Sequence, residues 1–125
     1  MKKTKKIYVA HSTGFDFKKE LYAPLSNLVE YKFIFPHSSS MVPSNSKKKI
    51  PAYDLILAEV SLPSYGVGIE LGWADAFGIP ILCLYKKGTK ISSALKVVSN
   101  NFLEYQDLNK DLDAVKLVVD RIMKK

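Results

Sequence analysis

The chain has 125 residues, 47% of them apolar, a length and composition that build one buried core and leave little room for a second domain. Its apolar runs stop at five or six residues, far short of the roughly 20 that cross a bilayer, so no membrane span is expected and the lysine-rich start reads as the approach to a first strand rather than a signal peptide. Lys and Arg number 19 against 12 Asp and Glu, a formal charge of +7 that favours anionic partners; 18 of the 19 are lysines, which disfavours a base-reading nucleic-acid surface built on arginine forks.

Lys6-Ile7-Tyr8-Val9-Ala10 is a β-prone run. Residues 15–29 then place Phe17, Leu21, Leu25 and Leu28 at steps of three and four, one face of a helix that Pro24 is set to kink or restart. Residues 31–35 read as a second strand closed by Pro36, and 37–46, with five serines, Pro43 and Asn45, as a loop. Residues 54–60 are nearly continuous apolar sequence, the pattern of a central strand buried on both faces. A turn rich in proline and glycine leads to a helix over 67–77, stopped by Gly78 and Pro80. A strand over 79–85, a short helix over 92–98, a strand over 102–105 and a closing helix over 108–123 complete the chain. This alternation predicts a single Rossmann-like, flavodoxin-like α/β domain over 1–125, an open five-stranded parallel sheet with helices on both faces. Ligands bind such sheets beyond the carboxyl ends of strands, here at residues 10–14, 59–68 and 85–93.

Ser64-Tyr65-Gly66-Val67-Gly68 runs straight into a helix, so the Ser64 hydroxyl and the backbone at Gly66 and Gly68 form a candidate phosphate cradle at the positive end of the helix dipole. The run is no Walker loop, since Gly-Lys-Ser/Thr is missing, and no dinucleotide fingerprint, since Leu71 replaces the third glycine. A tight turn using glycine for unusual dihedrals accounts for the same residues. Glu70 falls in the first turn of the helix, where the dipole favours a carboxylate by about 0.3–1 kcal/mol. Beyond a strand end and beside a phosphate cradle, that carboxylate suits a nucleophile. A second carboxylate would then act as acid, with Glu59, Asp16, Asp54 and Asp75 as candidates, although Asp54 opens its strand at the wrong end and Asp75 lies on another helix face. His11, just past the first strand, is a candidate ligand contact. Two histidines and one cysteine offer no metal-ligand spacing, so neither a metal nor another cofactor is expected. The lone Cys83, inside an apolar run, reads as a buried small hydrophobe in a reducing, cytoplasmic compartment.

The run Asp54-Leu55-Ile56-Leu57-Ala58-Glu59-Val60-Ser61-Leu62-Pro63-Ser64-Tyr65-Gly66-Val67-Gly68-Ile69-Glu70-Leu71-Gly72, followed by Gly78-Ile79-Pro80-Ile81-Leu82-Cys83-Leu84-Tyr85, resembles the nucleoside 2-deoxyribosyltransferase superfamily. Within it, the 2'-deoxynucleoside 5'-phosphate N-hydrolase branch is the nearest in pattern. The match spans residues 54–95, about a third of the chain, and the N-terminal third agrees in pattern alone. The resemblance implies a retaining N-glycosidic reaction on a (deoxy)nucleoside or its 5'-monophosphate, by cleavage or transfer, with Glu70 attacking the anomeric carbon to form a covalent sugar intermediate. It further implies Tyr8 near the sugar, Ser12 and Ser64 at the 5'-phosphate, and Ser93 as a serine that the family's homodimers contribute to a phosphate site. Glu59, Gly66 and Gly68 join this substrate-binding set.

Two departures bear on function. The family's acidic residue stands about eight positions before the aspartate matching Asp54, where this chain has Ser46. The first loop is His11-Ser12-Thr13-Gly14, without the arginine of the phosphohydrolase branch. Two functions therefore stand side by side: an N-glycosidase or deoxyribosyltransferase working through Glu70, and a nucleotide-binding module that keeps the phosphate cradle without turnover.

Overall fold

The computed structural model describes residues 4–38 and 46–124; of the serine-rich loop expected over 37–46, residues 39–45 lie outside the described residues. The chain runs β1 (Lys6–His11), a π turn (Lys18–Tyr22) continuing as α1 (Ala23–Leu25), β2 (Lys32–Ile34), two short 3-10 turns (Ser46–Lys48 and Ile50–Ala52), β3 (Leu55–Glu59), α2 (Tyr65–Ala76), β4 (Ile81–Lys86), α3 (Leu95–Val98), β5 (Asn101–Tyr105) and α4 (Leu108–Met123). All pairings are parallel, in the order β2-β1-β3-β4-β5, the flavodoxin-like arrangement whose strand order reverses between β1 and β3.

Side chains alternate along each strand, so the sheet carries two cores. Ile7, Val9, Leu55, Leu57, Leu82 and Leu84 pack against Leu21 and Leu25 of the first helical segment and Val115 and Val119 of α4. Tyr8, Ala10, Ile56, Ala58, Ile81 and Cys83 pack against Val67, Leu71 and Ala74 of α2. Burial on both faces is the physical reason the central strands read as unbroken apolar runs.

Element ends differ from the sequence-based expectation where backbone constraints act. The first helix is confined to residues 18–25 and changes from π to α geometry at Ala23 and Pro24, because proline has no N–H to continue a regular ladder. The wide π turn lets the adjacent Leu21 and Tyr22 both face the core. Gly78, at φ 73°, and Pro80 hold back β4 until Ile81. The helix expected over 92–98 shortens to one turn at Leu95–Val98, behind a turn at residues 92–94. The closing helix has the expected limits, with Asp107 capping the N–H of Asn109.

Two buried groups make the fold sensitive to alkali. Burial pushes the Cys83 thiol up to about 11 from 9.0 and the Tyr22 phenol up to about 12 from 10.0. Both are neutral in the folded chain, while the unfolded chain ionises first. Their contribution is therefore complete below pH 9 and is lost as pH rises through 11 and 12. Unfolding free energies from urea titrations between pH 8 and 12 are expected to fall by on the order of 2 kcal/mol for each of these two groups, and Tyr22→Phe to lessen the part of the fall above pH 10, to which the buried Tyr105 phenol also contributes.

Candidate active site

The strand order reverses between β1 and β3, so the segments following His11 and Glu59 flank the switch point at which sheets of this kind bind ligands. On the α2 face, Tyr8 of β1 donates its hydroxyl hydrogen to Glu70 Oε2 at 2.6 Å. Tyr53, between the second 3-10 turn and β3, lies parallel to the Tyr8 ring with centroids 5.1 Å apart. Burial first, and then the Glu70 charge, raise the Tyr53 phenol above its usual value. The central arrangement is thus one carboxylate on a helix, one phenol bonded to it, and a second phenol stacked on the first.

Glu70 is positioned by the way α2 starts: the helix begins at Tyr65 rather than at residue 67, which puts Glu70 in the second turn and not, as expected, in the first, beyond the reach of the dipole end. Ser64 has extended backbone and caps the helix, its Oγ accepting from the Val67 N–H at 3.3 Å, while the Gly68 N–H reaches the Ser64 carbonyl at 3.1 Å. Gly66 and Gly68 therefore lie inside the first turns of α2, with no positive φ, rather than in a loop with unusual dihedrals. A side chain at Gly68 would meet nothing within 4 Å, and one at Gly66 only Ser64 Oγ at 3.8 Å, so neither glycine is demanded by packing. The Val67 and Gly68 amides are committed to the helix, which leaves those of Tyr65 and Gly66 for an incoming anion.

The sheet separates other sequence-nominated residues from this pair. His11 and Glu59, opposite each other in the β1–β3 register, both face the α1/α4 side. Glu59 is 2% exposed and fully engaged: Oε1 accepts from the Ser61 N–H at 2.6 Å, and Oε2 from the Ser61 hydroxyl at 3.0 Å and from the Tyr105 hydroxyl. Ser61 Oγ in turn accepts from the Lys86 N–H at 2.8 Å, joining the loop ahead of α2 to the end of β4. The neighbouring carboxylate lifts the Tyr105 phenol far above its usual value, after burial as the larger cause. His11 bonds to Tyr22 and to the Ser12 carbonyl. Ser12 stays at the switch point, its Oγ accepting from the Gly14 N–H at 3.1 Å. Asp54 Oδ2 accepts from the Lys6 N–H at 2.7 Å at the opposite end of the sheet, as its place in the strand implies. Ser46 opens the first 3-10 turn.

A cavity of about 800 Å³ lies along the other flank of α2, lined by Ser64, Gly68, Leu71, Lys90, Leu95 and Val98 among others. Val67, Leu71 and Ala74 form the buried stripe of the helix, with Glu70 to one side and Ser64 and Gly68 to the other. Neither Glu70 nor Tyr8 is among its lining residues, so the carboxylate–phenol pair sits outside that hollow. Ser93, exposed, lies between its lining residues Ser92 and Ala94. Leu62, Tyr65 and Val97 line this flank and are exposed, Tyr65 at 95% and Val97 at 81%, and Ile69 is exposed on the outer side of α2.

Sequence reasoning missed Tyr53, Tyr22, Ser61 and Tyr105. For Tyr22 and Tyr105 the signal was present in principle, because a tyrosine placed among core residues needs a partner for its hydroxyl. Among the described residues, no cluster of His, Cys, Asp or Glu could hold a metal ion, and no helix is long and apolar enough to cross a membrane.

Strand order and side-chain geometry define the class: a flavodoxin-like α/β domain with a carboxylate–phenol pair beside its switch point. Over part of its length the chain is similar to proteins named nucleotide N-hydrolases. A chain of Syntrophotalea carbinolica, whose name assigns it provisionally as a 2'-deoxynucleoside 5'-phosphate N-hydrolase, is 49% identical over 47 residues, 38% of this chain and 33% of that protein. The 5-hydroxymethyl-dUMP N-hydrolase of Rattus norvegicus is 61% identical over 33 residues, 26% of this chain and 20% of that one. The chain thus spans a third or less of the length of these two relatives. The solved CMP N-glycosidase of Clostridium botulinum shares the fold, with a TM-score of 0.65 at 21% identity over 90% of this chain and 99% of that one. No family model matches.

Proposed function

We propose that this protein cleaves the N-glycosidic bond of a nucleoside 5'-monophosphate, with Glu70 as nucleophile. The observation behind the reading is the Tyr8–Glu70 hydrogen bond. A phenol donating to Oε2 orients the carboxylate, and Oε1 attacks C1' of the sugar. As the C1'–Oε1 bond forms, the C1'–N bond breaks and its electron pair goes to the base nitrogen, which takes up a proton from solvent. Water then adds to the glycosyl ester, restoring the Glu70 carboxylate and releasing the sugar 5-phosphate. No step requires a metal or redox cofactor. Ser64, the Tyr65 and Gly66 amides at the dipole end of α2, and Ser12 would receive the 5'-phosphate, helped by the positive charge of the chain. Hydrolysis agrees with the relatives' names; if a second base accepts the sugar instead, the same intermediate serves transfer. With its lone cysteine buried, the protein suits a cytoplasmic location.

The same reading makes the protein a homodimer. The apolar rim of Leu62, Tyr65, Ile69 and Val97 is a surface that a second copy would cover, bringing Ser93 toward the phosphate end of the partner's site. Val97→Glu is expected to sediment as a monomer and to lose monophosphate turnover. A variant that stays dimeric, or a monomeric one with full turnover, overturns the shared site.

One feature favours the alternative of a nucleotide-binding module: this chain has Ser46 where the family resemblance leads one to expect an acidic residue. Incubation with ribo- and deoxynucleosides and their 5'-monophosphates, followed by chromatography of free base, separates the two. Multiple turnovers identify the enzyme and its substrate; saturable binding without base release identifies the module.

A further inference from the structure

Behind the switch point, on the α1/α4 face, one hydroxyl joins three segments of chain. Tyr22 Oη, on the π turn, accepts from the backbone N–H of His37, in the segment after β2, at 3.0 Å. It also lies 2.6 Å from His11 Nε2. The other ring nitrogen, Nδ1, is 2.8 Å from the Ser12 carbonyl, and Ser12 Oγ accepts from the Gly14 N–H at 3.1 Å.

The chemistry of these groups assigns the protons. A carbonyl only accepts, so His11 Nδ1 carries a hydrogen. Burial, the largest cause, keeps the imidazole below its usual 6.5, with the nearby His37 acting in the same direction, so the ring is neutral at pH 7. Nε2 is therefore an acceptor, and the Tyr22 hydroxyl donates to it. The direction of the relay follows: His37 N–H to Tyr22 Oη, Tyr22 O–H to His11 Nε2, His11 Nδ1–H to Ser12 O. The ring has little freedom to turn, since Phe17 lies at 4.6 Å and Tyr22 and His37 meet it edge-on at 5.1 and 5.5 Å between centroids.

We propose that Tyr22 is a positioning residue of the site: by holding His11 as the Nδ1–H tautomer, its hydroxyl sets the loop at residues 12–14 for an anionic oxygen of the ligand. The inference rests on the reading of Ser12 as part of a phosphate site. It assigns the specificity for a 5'-phosphate partly to residues on the face of the sheet away from Glu70. Tyr22 acts through His11 and the loop and touches no reacting atom.

The test uses the full chain labelled with 15N and titrated with inorganic phosphate, which needs no glycosidase activity. At pH 7.5 the imidazole of His11 is expected to show a protonated Nδ1 and a bare Nε2, and phosphate to shift the Gly14 amide. Tyr22→Phe keeps the ring and removes the donor; it is expected to redistribute the His11 tautomers and weaken phosphate about tenfold. In turnover the same variant raises KM for the monophosphate about tenfold and changes kcat by less than about twofold. Leu28→Ala is the control for packing, trimming the same core without touching the His11 ring or breaking a side-chain hydrogen bond; it is expected to lower Tm and leave phosphate affinity unchanged. Three results overturn the proposal: no phosphate effect at Gly14 in the parent chain, equal phosphate affinity in Tyr22→Phe, or equal weakening by Leu28→Ala at a matched loss of Tm. A chain that releases no base but binds phosphate in a Tyr22-dependent way retires the glycosidase reading and keeps this one.

Discussion

Glu70→Gln is expected to reduce base release by at least about 10³-fold while leaving the fold intact. The substitution is nearly isosteric, and the glutamine side-chain oxygen can still accept from the Tyr8 hydroxyl that now donates to Oε2. What disappears is the negative oxygen that, in the proposed reaction, would bond to C1'. Tm is expected to stay within about 2 °C of the parent, because Glu70 sits beside the buried stripe of α2 rather than within it. Chromatography of free base under single-turnover conditions is the direct measurement. Base release at the parent rate in a folded Glu70→Gln protein would show that the carboxylate is not the nucleophile.

Glu59→Ala is expected to destabilise the fold by about 3 kcal/mol and lower Tm by roughly 10 °C, through a mechanism separate from catalysis. The substitution strands three donors in the interior, the Ser61 N–H, the Ser61 hydroxyl and the Tyr105 hydroxyl, and empties the space between them. Ser61 also receives the Lys86 N–H, so the loop leading to the Ser64 cap loses its anchor to β4. Glu59→Gln keeps one carbonyl oxygen and is expected to cost about half as much. Thermal melts of the three proteins test this. A Tm for Glu59→Ala within about 2 °C of the parent would mean that the network contributes little to holding the loop.

The two substitutions separate what the central motif does. Glu59 and Glu70 stand 11 residues apart in one continuous signature, yet one holds the loop from beneath the sheet edge while the other meets Tyr8 on the opposite face. Asp54, in the same run, ties the amino end of β3 to Lys6 of β1. On the proposed reading, one continuous stretch of sequence thus serves partly as the binding site and partly as the scaffold that supports it.

Much of this was legible in the residues themselves. Nearly continuous apolar runs at residues 54–60 and 79–85, alternating with helical patterns, point to a parallel sheet, since a strand covered by helices on both sides has no polar face. The limits of α4 follow from local rules, a capping Asp107 and an amphipathic stripe. Ser64, Gly66, Gly68 and Glu70 were found together because they are neighbours in sequence. A period of two also makes Tyr8 and His11, three apart on one strand, point to opposite faces, so their separation was in principle readable.

Tertiary structure alone decided the pairings across distance. Tyr8 meets Glu70 over 62 positions, Tyr105 meets Glu59 over 46, and Tyr22 reaches the His37 amide over 15. None leaves a local periodicity, because each depends on strand register and on which helix lies above which strand. The π turn that brings Tyr22 inward is likewise a compromise between Pro24 and core packing rather than a propensity of Lys18–Tyr22. Local chemistry therefore determined the class of fold and the place of the carboxylate, whereas the partners that orient that carboxylate and support its surrounding loops arise only when the sheet closes in its 2-1-3-4-5 order.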